Sequence, residues 1–343
     1  MGIILAIFVF SFIVFIHELG HFLLAKKNHI RVSEFSIGMG PRILSKEIGE
    51  TRYSIKAFPL GGSCMMGEDD VEDQSEGSFN SKSVGARFAV IVAGPLFNFI
   101  LAFLLAIVLR SVVGIDLPII GSVIPGSPAE EMGLEAGDKI THLDNERVYV
   151  YRGVLQFVGL HPGSVVDIRF ERDGEEHQVQ IEPKFFEEEG RYLLGITPSA
   201  NTKGNLLENI KYGAYEVVFG ITSNLKGMSM LFTGQASVEE MSGPVGIAGM
   251  INEAYEESKP AGIGVITLTM INLIILFSSA LGVMNLLPIP ALDGGRICFL
   301  LVEKIRGRRL PAEKEGIVHL IGFVLLIMLM IVVMFNDIKK LFM

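Results

Sequence analysis

Four long apolar stretches constrain the fold of this chain more than any other feature of its 343 residues. Each is about as long as the roughly 20 residues that a helix needs to cross the hydrocarbon core of a bilayer. With 50% hydrophobic residues, the chain is too apolar for an ordinary soluble protein. We therefore predict a polytopic α-helical membrane protein with four transmembrane helices in a lipid bilayer, at Gly2–Ala25, Phe88–Leu109, Ile263–Leu287 and Ile317–Phe335.

The first stretch contains three ionisable side chains in the sequence His17-Glu18-Leu19-Gly20-His21. A charged group at the centre of a membrane helix costs about 2.5–3.5 kcal/mol, so such residues usually mark a functional site. Because residues i and i+4 share a helix face, His17 and His21 can offer two nitrogen atoms to one metal ion. Glu18 is then placed to take a proton from a metal-bound water. The alternative is a pair of core histidines hydrogen-bonded within a helix bundle.

Zinc usually takes three protein ligands and a water, so two histidines leave the predicted site one ligand short. Asp293 is the strongest candidate for the third, because it follows Pro288 and Pro290, which break the third stretch. Irregular backbone at membrane depth is tolerated only where it lines a cavity enclosed by protein. In the alternative interpretation, Asp293 caps the helix that follows it.

Basic residues predict the orientation of the chain, since Lys and Arg concentrate in cytoplasmic loops. Here they follow the first stretch at Lys26 and Lys27, and they fill the connection between the third and fourth stretches. The predicted metal site then lies near the cytoplasmic face, whereas residues 110–260 lie outside. The net charge of −9 argues against a nucleic-acid partner.

Weak alternation within His29–Ile55 predicts β-strands, with a turn at Gly38–Pro41 and an end at Phe58–Gly62. An open strand edge beside the metal helix can pair with an extended peptide, which makes Gly61 and Gly62 candidate substrate-binding residues. A cytoplasmic hairpin with no substrate role fits the pattern equally well.

Two asparagines within or beside the predicted spans need polar partners. Asn98 follows Gly94 and Pro95 in the second stretch, and Asn285 precedes the two prolines of the third. Either these side chains line the active cavity and bind substrate, or they join neighbouring helices.

Between the second and third stretches the composition becomes that of a soluble domain. Ser127–Ile140 fits the pattern SPAxxxGLxxGDxI and resembles a PDZ domain, a family that binds extended peptides by strand addition. The resemblance implies Leu194, Gly195 and Ile196 as the peptide-binding segment of a circularly permuted domain. A steric gate that binds no peptide is the alternative. Leu206–Phe232 follows with the spacing of one or two amphipathic helices.

HExxH in the first stretch and NxxPxPxLDGG near the end of the third resemble the site-2 protease family of intramembrane zinc metalloproteases. The arrangement is most similar to the bacterial RseP type with a single PDZ domain. The resemblance implies one Zn2+ per chain, held by His17, His21 and Asp293, with Glu18 as general base, and a membrane-reentrant β element. It also implies pre-trimmed single-span membrane proteins as substrates, of the anti-sigma factor or remnant signal peptide type. The expected location is the bacterial cytoplasmic (inner) membrane, with the PDZ-like domain extracytoplasmic.

Two other functions remain open from the residues alone. One is a membrane-tethered PDZ scaffold with a structural or vestigial zinc site, and the other is a metal transporter. An intact Glu18 argues against the scaffold, and the single cluster of charges within the spans argues against the transporter. The predicted segments are a first transmembrane helix (1–28), a β region and loop (29–86), a second helix (87–112), a PDZ-like domain (115–200), amphipathic helices and connector (204–260), and the third and fourth helices with the LDGG motif (262–343).

Overall fold

The structure, a computed structural model, describes residues 2–67, 73–235, 237 and 241–342. Its helices are α1 (Gly2–Lys27), α2 (Val84–Val113), α3 (Pro128–Glu131), α4 (Tyr151–Leu160), α5 (Leu206–Phe232), α6 (Pro244–Ser258), α7 (Ile263–Leu286), α8 (Asp293–Arg306) and α9 (Ala312–Phe342). Its strands are β1 (Glu34–Ile48), β2 (Thr51–Met65), β3 (Ile120–Val123), β4 (Lys139–Leu143), β5 (Glu146–Arg147), β6 (Val166–Arg172), β7 (Glu175–Ile181), β8 (Lys184–Phe186), β9 (Arg191–Leu193) and β10 (Ile196–Pro198). The chain forms two compact units, residues 1–105 with 220–343, and residues 106–219.

Within the described residues, four helices, α1, α2, α7 and α9, are long and apolar enough to cross a membrane. Each overlaps one of the four stretches predicted from the sequence. The four long apolar helices fit a membrane protein, while the number of spans and their orientation stay predictions.

Helix α1 buries one face along its whole length. The buried positions recur every three or four residues, which is the spacing of a single helix face. They are Ala6, Val9, Ile13, His17, Gly20, His21 and Ala25. The two histidines therefore point into the protein, in line with the apolar side chains that pack α1 against its neighbours.

Strands β1 and β2 form a long antiparallel hairpin that folds back on itself. The segment 34–37 pairs on one side with 52–55 and on the other with 62–65, so 62–65 lies at the end of this sheet. The predicted turn at Gly38–Pro41 is wrong, because β1 continues through it and the hairpin turns at Gly49 and Glu50. The predicted end at Phe58–Gly62 is also wrong, since β2 runs on to Met65. Positive φ values at glycines such as Gly38 (+83°) bend the strands without ending their pairing.

Two contacts from distant segments hold α6 and α8. Asp337 of α9, which is 3% exposed, accepts hydrogen bonds from the backbone N–H groups of Gly243 (3.1 Å) and Gly246 (2.7 Å) at the start of α6. Arg87 near the start of α2 binds Glu303 of α8 through two hydrogen bonds of 2.5 and 3.1 Å. Gly243 is the N-cap of α6, a separate helix that precedes the long apolar helix α7.

The unit of residues 106–219 has its own sheets and core. Its largest sheet has the strand order β5-β4-β6-β7, and β10 pairs with β3 in a second, two-stranded sheet. Strands β6 and β7 form an antiparallel hairpin. The core is made of apolar side chains from both sheets and α4, among them Ile120, Ile140, Leu143, Phe157, Ile168 and Leu194.

A buried cluster of four charges joins the end of α2 to α4 and α5 within this unit. Arg110 binds Asp116 (2.6 Å) and Glu216 (2.6 Å), and Arg152 binds the same two carboxylates. Arg110 and Glu216 are 5% and 4% exposed. Because each buried charge has two partners of opposite sign, the cluster is internally balanced.

Candidate metal centre

Helix α1 presents two imidazoles one turn apart on its buried face. His17 and His21 are each 7% exposed, and their Nε2 atoms are 3.2 Å apart. Nδ1 of His21 lies 2.9 Å from the carbonyl oxygen of Val90 in α2 and donates a hydrogen bond to it. This contact places the proton on Nδ1 and leaves the Nε2 lone pair free to bind a cation.

The first residue of α8 brings a carboxylate to the same point. Asp293 Oδ2 lies 3.1 Å from His17 Nε2 and 3.4 Å from His21 Nε2. The N-cap of α8 is Leu292, and no side chain caps this helix. The capping role that was the alternative for Asp293 is therefore not what its side chain does in this structure.

These three atoms have the spacing of a tetrahedral zinc site. Ligand atoms ~2.0–2.1 Å from a tetrahedral ion are about 3.3 Å from one another, and the three observed separations are 3.1, 3.2 and 3.4 Å. Among the residues that the structure describes, buried Asp293 Oδ2 has no hydrogen-bond partner, which is costly for a carboxylate unless a cation balances it. The donor set and its geometry fit Zn2+.

Two glycines turn Asp293 towards α1. A Cβ atom on Gly294 would lie 2.5 Å from the backbone carbon of Leu286, and one on Gly295 would lie 2.5 Å from the carbonyl oxygen of Ile289. Both distances are shorter than any real contact, so α8 can begin this close to the preceding loop only without these side chains. The Gly-Gly pair of the LDGG sequence is thereby explained by packing.

Helix α2 covers the histidines from the other side. A Cβ on Gly94 would lie 2.6 Å from Cε1 of His21 and 2.8 Å from Cε1 of His17, so the α2 backbone lies directly against both rings. One on Gly20 of α1 would lie 2.8 Å from the carbonyl carbon of Ala93. Two glycines at the crossing of α1 and α2 therefore allow the close approach that buries the histidines.

Asn98, one turn beyond Gly94, contacts His17. Its carboxamide lies 3.2 Å from His17 Nδ1, and the residue is fully buried. If His17 Nε2 is a ligand atom, Nδ1 carries the proton and must donate it. The structure places the amide nitrogen, Nδ2, at this distance. Oxygen and nitrogen of an amide are assigned from such networks, and turning the amide over brings Oδ1, which has no hydrogen-bond partner among the described residues, to the N–H of His17 Nδ1.

Glu18 lines a cavity of about 570 Å³, and the two histidines and Asp293 line the same cavity. The backbone N–H of Cys64 donates a hydrogen bond to the Glu18 carboxylate, so β2 orients it. Residues 63–67 form one wall of this cavity, and Asn285 lines it as well. The cavity therefore places a carboxylate, the three candidate ligand atoms and a strand segment around one space.

Comparisons with known proteins give the family. The sequence profile of peptidase family M50 matches residues 5–329. The chain belongs to peptidase family M50. A Clostridium acetobutylicum protein, provisionally named a zinc metalloprotease, is 39% identical over 98% of this chain and 97% of its own length. Zinc metalloprotease RasP of Geobacillus kaustophilus is 32% identical over 99% of this chain and 98% of its own length. Regulator of sigma-W protease RasP of Bacillus subtilis is 31% identical over 99% of this chain and 99% of its own length.

Membership in family M50 confirms the predicted site-2 protease family and makes this protein a zinc metalloprotease. The scaffold and transporter alternatives are set aside accordingly. Among solved structures, the PDZ domain of an SdrC-like protein from Listeria monocytogenes is 25% identical and covers 25% of this chain and 90% of its own, with a TM-score of 0.23.

The remaining candidate residues of this M50 peptidase lie in different places. Gly62 lies beside Glu18, because a Cβ there would be 3.3 Å from Glu18 Cγ, whereas the nearest neighbour of Gly61 is Met39. In the separate unit of residues 106–219, Leu194 is a core residue and Gly195 has φ +86°. The hydroxyl of Tyr151 donates to the carbonyl oxygen of Ile196 (2.8 Å), which an added peptide strand would otherwise use.

Sequence reasoning missed the contacts around the ligands. The Val90 carbonyl and the Cys64 N–H are backbone groups, and the sequence carries no signal for a backbone partner. Gly94 did carry a signal, since a glycine four residues before a buried Asn98 permits close helix approach. That Gly94 lies against both histidines could not be predicted, because it depends on how α1 and α2 cross.

Proposed function

We propose that this zinc metalloprotease is an intramembrane endopeptidase that binds one zinc ion per chain through His17, His21 and Asp293. The observation that carries the proposal is the convergence of three ligand atoms within 3.4 Å of one another from segments far apart in the chain. The histidines lie within α1, which is apolar enough to span a bilayer, so the reaction takes place below the lipid surface.

Zinc held by His17, His21 and Asp293 would act as a Lewis acid, which would polarise the scissile carbonyl and lower the pKa of water towards ~7. Glu18 takes the proton of the attacking water and passes it to the leaving amine. The Cys64 N–H holds the Glu18 carboxylate in place for both transfers. Val90 and Asn98 hold the two imidazoles, so we assign Asn98 an orienting role in place of the substrate contact expected from the sequence.

A substrate helix must unwind before cleavage, because its carbonyl groups are already hydrogen-bonded and covered. Residues 62–65 pair with 34–37 on one side. Their other edge carries no paired strand among the described residues, although the Cys64 N–H in this segment already donates to Glu18. Ser63, Cys64 and Met65 line the cavity. We propose that an unwound substrate adds to this edge as an extended strand beside Glu18.

The substrates that we propose are single-span membrane proteins already trimmed by another protease. The name of the Bacillus subtilis relative, regulator of sigma-W protease, supports an anti-sigma factor as the substrate and regulated intramembrane proteolysis as the process. Basic residues beside the apolar helices support a multi-pass protein of the inner membrane. In this orientation the metal centre lies near the cytoplasmic face and the PDZ-like domain (115–200) is extracytoplasmic.

The test is cleavage of a single-span model substrate by the purified protein reconstituted in lipid vesicles. We expect cleavage within the substrate's apolar segment, its loss with a zinc chelator, and its return when zinc is added. Glu18→Gln should bind zinc normally and cleave at least about 100-fold more slowly, as expected for loss of a general base. The matched control is Glu50→Gln, which removes an exposed carboxylate paired with Lys26 at 2.8 Å. Full activity of Glu18→Gln would refute the assignment of the base.

A further inference from the structure

Ala291, two residues before Asp293, has an uncommon backbone conformation. Its φ is +76°, in the left-handed region that residues with a side chain rarely adopt. Such a conformation persists only where the surrounding structure holds it, and it is often found at functional sites. What holds Ala291 therefore also determines where the following Asp293 points.

The partner of Ala291 comes from α9. The backbone N–H of Ala291 donates a hydrogen bond to Nδ1 of His319 at 3.0 Å. Because Nδ1 accepts, the proton of the neutral ring lies on Nε2, which is 4.0 Å from Glu315 Oε1. The ring also packs on Phe299 of α8, with 5.2 Å between centroids. His319 thus links α9 to the loop and to the helix on either side of Asp293.

Gly322, one turn further along α9, contacts the same loop. A Cβ there would lie 2.6 Å from the carbonyl oxygen of Pro290 and 2.8 Å from its carbonyl carbon. Residues i and i+3 share a helix face, so His319 and Gly322 together form one surface against Pro290 and Ala291. Gly316, on the preceding turn, has open space where its Cβ would be.

We propose that His319 and Gly322 of α9 are positioning residues that hold the Pro290–Ala291 segment in the conformation that directs Asp293 to His17 and His21. The ligand separations of 3.1 and 3.4 Å leave little tolerance for movement of this loop. Neither residue belongs to the HExxH or LDGG sequences, and α9 contributes no ligand atom among the described residues. This inference rests on the proposed function, because it takes Asp293 as a zinc ligand.

The first test compares two substitutions of His319 in the full-length protein. His319→Phe keeps a ring but removes the acceptor, whereas His319→Asn places an amide oxygen near the position of Nδ1. We expect His319→Phe to weaken zinc binding about tenfold, as for other outer partners of metal ligands, and His319→Asn to restore most of it. Zinc affinity is measured by chelator competition, and the visible absorption spectrum of the Co2+-loaded protein reports the ligand geometry.

A second substitution separates positioning from general stability. Ala291→Gly removes the cost of the left-handed conformation. The double variant His319→Phe/Ala291→Gly should therefore recover a large part of the zinc affinity lost in His319→Phe. If His319 only stabilises the fold, Ala291→Gly will not restore zinc affinity or the Co2+ spectrum. Equal zinc affinity and identical spectra in His319→Phe and wild type would also overturn the proposal.

Gly322→Ala and Gly316→Ala form a matched pair on α9 that keeps the proposal testable even if His319→Phe does not fold. We expect Gly322→Ala to weaken zinc binding about tenfold and to alter the Co2+ spectrum, and Gly316→Ala to leave both unchanged. Equal effects of the two would overturn the proposal. Asp293→Ala identifies which proposal fails. Normal zinc affinity in Asp293→Ala refutes Asp293 as a ligand. If Asp293→Ala loses zinc affinity while Gly322→Ala keeps the affinity and Co2+ spectrum of wild type, only the role of α9 is refuted.

Discussion

Gly94→Ala tests whether the approach of α2 to the two histidines is necessary for activity. The added Cβ would lie 2.6 Å from His21 Cε1 and 2.8 Å from His17 Cε1, whereas ordinary contacts begin at 3.4 Å. The added Cβ would lie closer still to Nε2 of His21, so the rings and the helix must separate by at least about 0.8 Å. Since His21 also binds the Val90 carbonyl of α2, this movement cannot leave both the ring and its hydrogen bond unchanged.

A displacement of about 1 Å at a catalytic group typically costs about 100-fold in rate, and we expect a loss of that size in kcat for Gly94→Ala. Zinc affinity should fall by about 10–100-fold, because the hydrogen bonds that orient both imidazoles are disturbed. The assay is cleavage of a single-span substrate in lipid vesicles, measured together with zinc content.

Gly85→Ala is the matched control, because Gly85 lies in the same helix and has no neighbour within 4 Å of its Cβ position. It should keep full activity and stabilise the helix by about 0.5–1 kcal/mol, since alanine is the better helix former. If Gly94→Ala retains wild-type kcat and zinc affinity, the close packing of α2 on the histidines has no role in catalysis, and this reasoning is refuted.

Three further predictions follow from other contacts. Asp293→Ala should purify without zinc while its unfolding temperature with excess chelator matches that of wild type, and a normal zinc content would return Asp293 to a structural role. The hydrogen bond from Arg42 lowers the pKa of Glu34 to about 2, so the ionised carboxylate stabilises the hairpin above pH 4.5, and this stabilisation is lost as the pH falls towards 2. Below pH 4.5 the unfolding temperature should therefore fall more steeply with pH in wild type than in Glu34→Gln. Equal slopes of unfolding temperature against pH would contradict this. Glu216→Gln leaves Arg110 and Arg152 with one shared carboxylate and should cost about 3 kcal/mol in denaturant unfolding, whereas Glu131→Gln, which loses an exposed pair with Lys184, should cost less than about 1 kcal/mol.

The proposed ligand residues could be predicted from sequence because their chemistry is unfavourable in a membrane. An apolar helix with His17 and His21 at i and i+4, and a carboxylate after two prolines, have few explanations besides a metal site. The structure places the three side chains within 3.4 Å of one another, and their role as zinc ligands stays a prediction. The placement of apolar helices was also predictable, since length and hydropathy alone define it.

The hairpin and the outer contacts could not be predicted in the same way. Turn residues such as Gly38 usually end a strand, and only the double pairing of 34–37 shows that here they bend it. The contact between His319 and Ala291 joins α9 to a backbone group of the loop before α8, so no local pattern indicates it. Contacts of this kind depend on helix crossings, which the hydrophobic pattern leaves open.

X-ray absorption at the zinc edge of the purified protein tests the central claim most directly. For a zinc ion held by His17, His21 and Asp293, we expect only nitrogen and oxygen neighbours at ~2.0–2.1 Å, with the scattering of two imidazoles, and loss of the bound metal in Asp293→Ala. A sulfur neighbour at ~2.3 Å, or an unchanged zinc spectrum in Asp293→Ala, would contradict the account.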